Sequence, residues 1–212
     1  MKKLAVLVFL FTSALGFSQS AKQLLDDVAQ KVKSYDNIYI EFEHKLDNTI
    51  ANLHQETHGN ATLKNDLYRF NFMGIEQLYD GKKIFMIIHE DEEVIIKQPN
   101  SEDQSTITPS KMLTFYENGY TYELDILQNV NGRKIQYIKL IPIDSDSEMA
   151  HVLLGIDSVT KHIYKVIETG KDDTTTTITI SKFDTNMPIS NKLFTFDKEK
   201  FDSKGYDITE PK

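Results

Sequence analysis

The residues that could do chemistry come first, because few of them stand in a chemical arrangement. Six histidines occur: His44, His54, His58, His89, His151 and His162. His54 and His58 have the four-residue spacing at which one face of a helix holds a metal, but no HExxH frames them. Gly59 and the alternation around it indicate a strand, on which four residues separate the two rings by about 13 Å, too far for one ion to bridge. The run Asp144-Ser145-Asp146-Ser147-Glu148 resembles the start of a calcium loop, yet it lacks the glycine at the sixth position and the glutamate at the twelfth, so it reads as a solvated turn. With no cysteine anywhere, thiolate chemistry and disulfides are excluded. Neither GxSxG nor a glycine-rich phosphate loop is present. Carboxylate pairs such as Glu41 and Glu43 fall on a polar strand face, where solvation is the default. These observations predict a protein without a catalytic centre, cofactor or metal.

The chain begins with Lys2-Lys3, then an apolar run over residues 4–15 and the small residues Gly16 and Ser18. That is the layout of a signal peptide, residues 1–18, with cleavage falling within 18–20. The run is too short to span a bilayer. Residues 19–212 are expected to form a single domain, exported to the periplasm or beyond. Without Lys2 and Lys3, 22 basic residues remain against 32 acidic ones, a formal charge of −10. Such a balance argues against nucleic acid or an anionic membrane surface as a partner.

The elements that could position a site follow from hydrophobic period. Ser20-Ala21-Lys22-Gln23 has the form of a capping box. Leu24, Leu25, Val28, Val32 and Tyr35 follow at helical spacing and form one apolar stripe. From Ile38 the period becomes two: Ile38, Ile40, Phe42, His44 and Leu46 point one way, and Tyr39, Glu41, Glu43 and Lys45 the other. Tyr68, Phe70 and Phe72 alternate with Arg69 and Asn71. Asp80-Gly81 and Asn131-Gly132 are tight-hairpin signals. A second helix is expected over residues 109–118, opened by Thr108-Pro109 and ended by Gly119. Altogether about ten or eleven strand-like runs are joined mostly by hairpin-length links. They predict one mainly antiparallel sheet with helices on one side, and a sheet of that size must curl, split or close.

One strand does not fit a sheet with a wet face. Residues 84–88, Ile-Phe-Met-Ile-Ile, are apolar at every position, so both faces need a cover. Met73, Met86 and Met112, with several Phe and Tyr residues, add apolar surface beyond what a single sheet face requires. By composition such side chains suit an ordinary core first; the sharper reading is a cavity that must repack around greasy ligands.

Taken in order, the motifs resemble the periplasmic outer-membrane lipoprotein carrier family, LolA. The resemblance runs from the first helix into Tyr35-Asp36-Asn37-Ile38, through Gly59-Asn60-Ala61-Thr62-Leu63-Lys64 and Leu67-Tyr68-Arg69-Phe70-Asn71-Phe72. It continues in Leu78-Tyr79-Asp80-Gly81-Lys82-Lys83-Ile84-Phe85, Thr108-Pro109, Leu140-Ile141-Pro142, Ile156-Asp157 and Phe194-Thr195-Phe196. It implies a mainly β (α+β) fold: a half-closed, strongly curved antiparallel β-barrel with a helical lid over an apolar cavity. The function implied is that of a carrier, monomeric and without catalysis. It would bind the acyl chains of lipoproteins and take them from an inner-membrane releasing transporter to an outer-membrane acceptor. At about 0.8 kcal/mol per buried CH₂, a chain of about sixteen carbons is worth roughly 12 kcal/mol in transfer. Shielding it takes on the order of 500 Å² of apolar surface.

On this resemblance the cavity is expected to be walled by Phe42, Tyr68, Phe70, Phe72, Ile84, Met86 and Ile88. The lid would comprise Leu25, Val28 and Val32 of the first helix with Met112, Leu113 and Tyr116 of the second. The family often carries tryptophan in its early strands, and a basic residue followed by proline that ties the lid shut. Here no tryptophan occurs, Phe72 and Phe85 stand where one is plausible, and Lys64-Asn65-Asp66 replaces the basic-Pro pair. Arg69 or Lys64 is left as the latch. Two readings from other classes stand beside the carrier: a sensor or regulatory module binding an envelope protein or lipid signal, and an enzyme acting on an apolar substrate.

Overall fold

The structure, a computed structural model, describes residues 20–99 and 113–210. The expected signal peptide, Met112 and the Thr108-Pro109 helix start lie outside the described residues. Residues 20–33 are helical (α1). Twelve strands follow: β1 (Ile38–Asn48), β2 (Leu53–Lys64), β3 (Leu67–Phe72), β4 (Ile75–Tyr79), β5 (Ile84–Ile88), β6 (Glu93–Lys97), β7 (Tyr120–Val130), β8 (Arg133–Pro142), β9 (Met149–Asp157), β10 (Ile163–Gly170), β11 (Thr175–Thr185) and β12 (Asp207–Thr209). A short helix, α2 (Lys198–Asp202), precedes the last strand. Hydrogen bonding orders the strands β12-β6-β5-β4-β3-β2-β1-β11-β10-β9-β8-β7, so the sheet has two ends.

Several expectations are corrected. The twelfth strand comes from a tail whose charges hide it, and β12 runs parallel to β6, with Ile208 beside the fully buried Val94. The motif Phe194-Thr195-Phe196 begins within a 3₁₀ turn, Asn191–Phe194. The second helix is, in its described part, a single 3₁₀ turn, Phe115–Glu117, and Asn118 is already extended. The Tyr122 hydroxyl donates to the Tyr116 carbonyl at 3.1 Å, capping an oxygen that a continuing helix would use itself. Asn131 and Gly132 have φ of 51° and 81°, the tight turn expected. Asp80-Gly81 differs: only Gly81 has positive φ, and the Asp80 carboxylate instead accepts from the amides of Lys82 and Lys83, both at 2.8 Å. Met73-Gly74, both at positive φ, is a tight turn with no Asn or Asp to signal it.

The chain divides into two compact units. The first holds the described parts of Met1–Ser34, Lys45–Gln55 and Thr114–Thr179; the second holds those of Tyr35–His44, Glu56–Leu113 and Ile180–Lys212.

In the first unit, Ile138 and Leu140 of β8 pair with Leu154 and Val152 of β9, and Leu154 pairs onward with Val166 of β10. Ile138, Leu140, Val152 and Leu154 are fully buried. Gly155 leaves room for the ring of Tyr137, which a Cβ there would meet at 2.9 Å. Asp157 is buried and receives the Arg133 guanidinium at 2.8 Å and the amides of Val159 and Thr160 at 2.9 and 3.1 Å. Burial alone would raise its carboxyl, but Arg133 and the two amides outweigh it and hold the group below the ordinary carboxylate value. A depressed folded value stabilises the protein above the unfolded value near 4, and that contribution is lost as pH falls through the folded value. Asp157→Asn is therefore expected to lower the urea midpoint at neutral pH, with the deficit shrinking as pH drops below about 4. A deficit that stays constant across that range would contradict this.

The second unit answers what covers the doubly apolar strand. Leu78, Phe85, Ile87, Val94 and Ile96 form one buried cluster with Phe201 of α2, and Phe196, Tyr206 and Ile208 pack against it. Phe196 stacks on Phe85 at 4.4 Å and on Phe201 at 5.3 Å. One face of β5 is thus covered by the C-terminal segment. Asn37 fastens the chain nearby: its side-chain amide donates to the Met187 carbonyl and accepts from the Met187 amide, both at 3.0 Å.

Candidate functional site

The other face of β5 carries the candidate site. Directly opposed residues in an antiparallel ladder point to the same side. Three rows follow from the register: Tyr68–Tyr79–Ile84, Phe70–Gln77–Met86 and Phe72–Ile75–Ile88. Phe42 joins them from β1, its ring 6.0 Å from that of Phe70 and 5.6 Å from that of Phe72. It lies over Gly59, which pairs with Phe72 and has no side chain to obstruct the ring. All seven residues expected in the cavity wall therefore share one face. Phe42, Tyr68 and Ile84 are buried, whereas Phe70, Phe72, Met86 and Ile88 are half-buried. Sequence reasoning missed Ile75, Gln77 and Tyr79, because only the register shows which parity of β4 joins Phe70 and Phe72.

At the Phe72 end of β3 lies a groove of about 500 Å³, lined by Phe42, Phe72 and Ile75 and, from the opposite parity, by Tyr39, Asn71 and Glu76. Tyr68 sits at the other end of β3, its ring 5.7 Å from that of Tyr79. Its hydroxyl is buried and has no hydrogen-bond partner. Burial, and then the neighbouring Tyr79, push its pKa up to about 12. It is a proton donor at any physiological pH.

The two candidate latch residues lie elsewhere. Arg69 occupies the opposite parity of β3, and its guanidinium meets Glu76 at 2.7 Å and donates to the Leu193 carbonyl at 3.3 Å. Lys64 donates to the Asn191 side chain at 2.7 Å. Both basic groups thus hold the turn at 191–193 in the C-terminal segment. Glu76 is nearly buried, with His89 Nε2 a looser second contact at 3.7 Å, so removing Arg69 leaves a charge with little access to water. Arg69→Met is expected to cost about 2 kcal/mol, discounted from the cost of a fully buried pair because Arg69 is partly exposed. Urea titration checks this, and the double variant Arg69→Met, Glu76→Gln should recover most of the loss.

The expected lid residues of the first unit sit on α1 and the 3₁₀ turn Phe115–Glu117. Leu25, Val28 and Tyr116 are buried, and Val32 is half-buried. Ion pairs link Lys33 to Glu117 at 3.1 Å and Asp27 to Lys161 at 3.6 Å. Between α1 and the turn runs a groove of about 550 Å³, with Leu25, Ala29, Tyr116 and Tyr122 in its lining and Lys22 and Lys33 on its rim. Tyr116 is 1% exposed, and its hydroxyl, like that of Tyr68, is buried with no partner. Burial raises its pKa, with Glu117 and Asp26 adding to the effect. Leu113, in the second unit, is buried as well.

For a metal, the described residues bring together Glu43, Glu56 and His58, whose ligand atoms lie within 4.8 Å of one another at the surface. His54 is not among them and bonds Asp47 at 2.7 Å. Parity alone could not find the set, since Glu43 lies on the neighbouring strand.

The model of the outer membrane lipoprotein carrier protein LolA matches residues 34–197. The chain belongs to the LolA family. Solved structures share the fold. An uncharacterised conserved protein of Thermus thermophilus superposes with a TM-score of 0.60 at 9% identity, covering 91% of this chain and 99% of that one. LprF of Mycobacterium bovis gives 0.51 at 12% identity, covering 82% and 96%. The LolA superfamily protein NE2245 of Nitrosomonas europaea gives 0.43 at 12%, covering 84% and 98%. Among curated proteins, none matches the chain. At these identities the first two superpositions speak for the fold alone. Among the described residues no helix is long and apolar enough to cross a membrane.

Proposed function

We propose that the protein is a periplasmic carrier that binds the acyl chains of lipoproteins and conveys them from the inner to the outer membrane, without catalysing a reaction. The observation that carries this reading is the face formed by Phe42, Phe70 and Phe72 with Met86 and Ile88. Its three rings pack together, Ile75 and Gln77 of β4 stand between them and Met86 and Ile88, and it is only half-buried at four of its seven expected positions. An aromatic and methionine surface of that kind accepts chains of differing shape. The LolA family membership supports the same cargo.

On this reading the apolar face of the second unit takes the chains in transit, and Leu25, Val28, Val32 and Tyr116 are the lid positions that the family resemblance implies. Cargo arrives from an inner-membrane releasing transporter and leaves to an outer-membrane acceptor. Native mass spectrometry of the protein purified from its own periplasm is expected to show co-purifying lipid or acylated protein. Release of lipoproteins from spheroplasts should increase when the protein is added. Clean protein combined with unchanged release would exclude the carrier.

A further inference from the structure

Glycine apart, eight of the described residues have positive φ, and only one of them, Met73, is apolar. Left-handed backbone favours glycine and asparagine, because a larger L side chain crowds the following carbonyl. The chain meets that preference elsewhere. Asn131-Gly132 makes the same two-residue turn between β7 and β8, with φ of 51° and 81° against 51° and 77° at Met73-Gly74. Met73 is also 60% exposed. Ile50 and Val159 are more exposed, but neither has positive φ. A methionine that fills no core and opposes its own turn serves the fold less well than asparagine would.

The aromatic face gives it a use. Two members of the row Tyr68–Tyr79–Ile84 are buried, whereas Phe72, Ile75 and Ile88 of the last row are all half-buried. The face therefore opens to water toward the turn that Met73 occupies. There Met73 lines the groove together with Phe42, Phe72 and Ile75. Asn71 and Glu76 make another part of the lining polar, so hydrocarbon is directed to the Met73 side. We infer that Met73 is the lip over which an acyl chain passes on and off the face, and against which the bound chain rests. This rests on the carrier reading and deepens it. An unbranched, flexible thioether adapts to a moving chain, and its exposure in the free protein leaves it available. The occupant is the hydrocarbon of the cargo rather than a bilayer, because 32 acidic residues against 24 basic ones oppose approach to an anionic membrane surface.

The test uses the exported protein, the fluorescent probe dansylundecanoic acid, and vesicles of phosphatidylglycerol and phosphatidylethanolamine. Met73→Asn keeps the turn and removes the apolar lip. It is expected to raise Tm by about 2 °C while weakening probe binding about tenfold, the worth of covering roughly half a methionine side chain. Met73→Leu should bind the probe as the wild type does. Unchanged probe affinity in Met73→Asn, or an equal loss in Met73→Leu, would overturn the inference while leaving the carrier intact. A lower Tm in Met73→Asn would show that the side chain packs in the fold, and would overturn it too. So would vesicle binding that Met73→Asn abolishes without changing probe affinity, since the lip would then meet a bilayer. A wild type that does not bind the probe would overturn the carrier reading, and this inference with it.

Discussion

Phe72→Asp is expected to abolish the release of lipoproteins from spheroplasts while leaving the sheet folded. Phe72 is the last residue of β3, half-buried, with its ring 5.6 Å from Phe42, 6.0 Å from Phe70 and 5.1 Å from His44. Because the position already reaches water, a carboxylate there stays hydrated in the empty protein. The folding cost is then the lost aromatic contacts, on the order of 1–2 kcal/mol. Cargo binding is affected differently. A chain laid on this face must strip water from the carboxylate, a cost of several kcal/mol. Set against about 0.8 kcal/mol per CH₂, that cancels the contribution of four or more methylenes. Far-UV circular dichroism should match the wild type, and Phe72→Leu should retain release. If Phe72→Asp releases lipoproteins normally, this face is not the acyl-binding wall.

The second large effect is expected at Gly59. A Cβ built there would lie 2.3 Å from Phe42 Cζ and 2.8 Å from the Asn71 carbonyl oxygen. The ring could swing aside, but the carbonyl belongs to β3, which is held in ladders on both sides. Gly59→Ala should therefore expel Phe42 from its place over the glycine and strain the β2–β3 pairing. Overpacking of this kind costs about 1–3 kcal/mol. In a chain of this size that lowers Tm by roughly 3–10 °C. Acyl-probe affinity should fall with it, since Phe42 leaves its position against Phe70 and Phe72. An unchanged melting temperature would mean that Phe42 does not occupy this space.

These two positions differ in how far the sequence exposed them. Phe72 is legible from alternation, because Tyr68, Phe70 and Phe72 share a parity that residues 69 and 71 do not. Gly59 is not, since its role depends on a ring seventeen positions earlier in the chain. The same limit governs Arg69 and the turn at Asp80-Gly81. Arg69 is the arginine nearest the position where the resemblance implies a lid latch. Its partners, Glu76 and Leu193, become neighbours only once β4 and the C-terminal segment are in place. The turn at Asp80-Gly81 has the dipeptide of a two-residue hairpin, but Asp80 uses its carboxylate to cap two amides rather than adopting positive φ.

By itself the sequence determined the β-rich class, the N-terminal helix, the strand parities and the family resemblance, which the match over residues 34–197 bears out. Each of these is written in local period and turn chemistry, within reach of a few residues. Tertiary structure alone decided what covers β5. The run Ile84–Ile88 is apolar at every position, so its pattern distinguishes no face. Phe85 and Ile87 are claimed by Phe196, Phe201 and Tyr206, more than a hundred residues away, and this leaves Ile84, Met86 and Ile88 for the aromatic face. The choice was made by ladder register and by where the C-terminal segment returns, neither of which leaves a local trace in the residues it sorts.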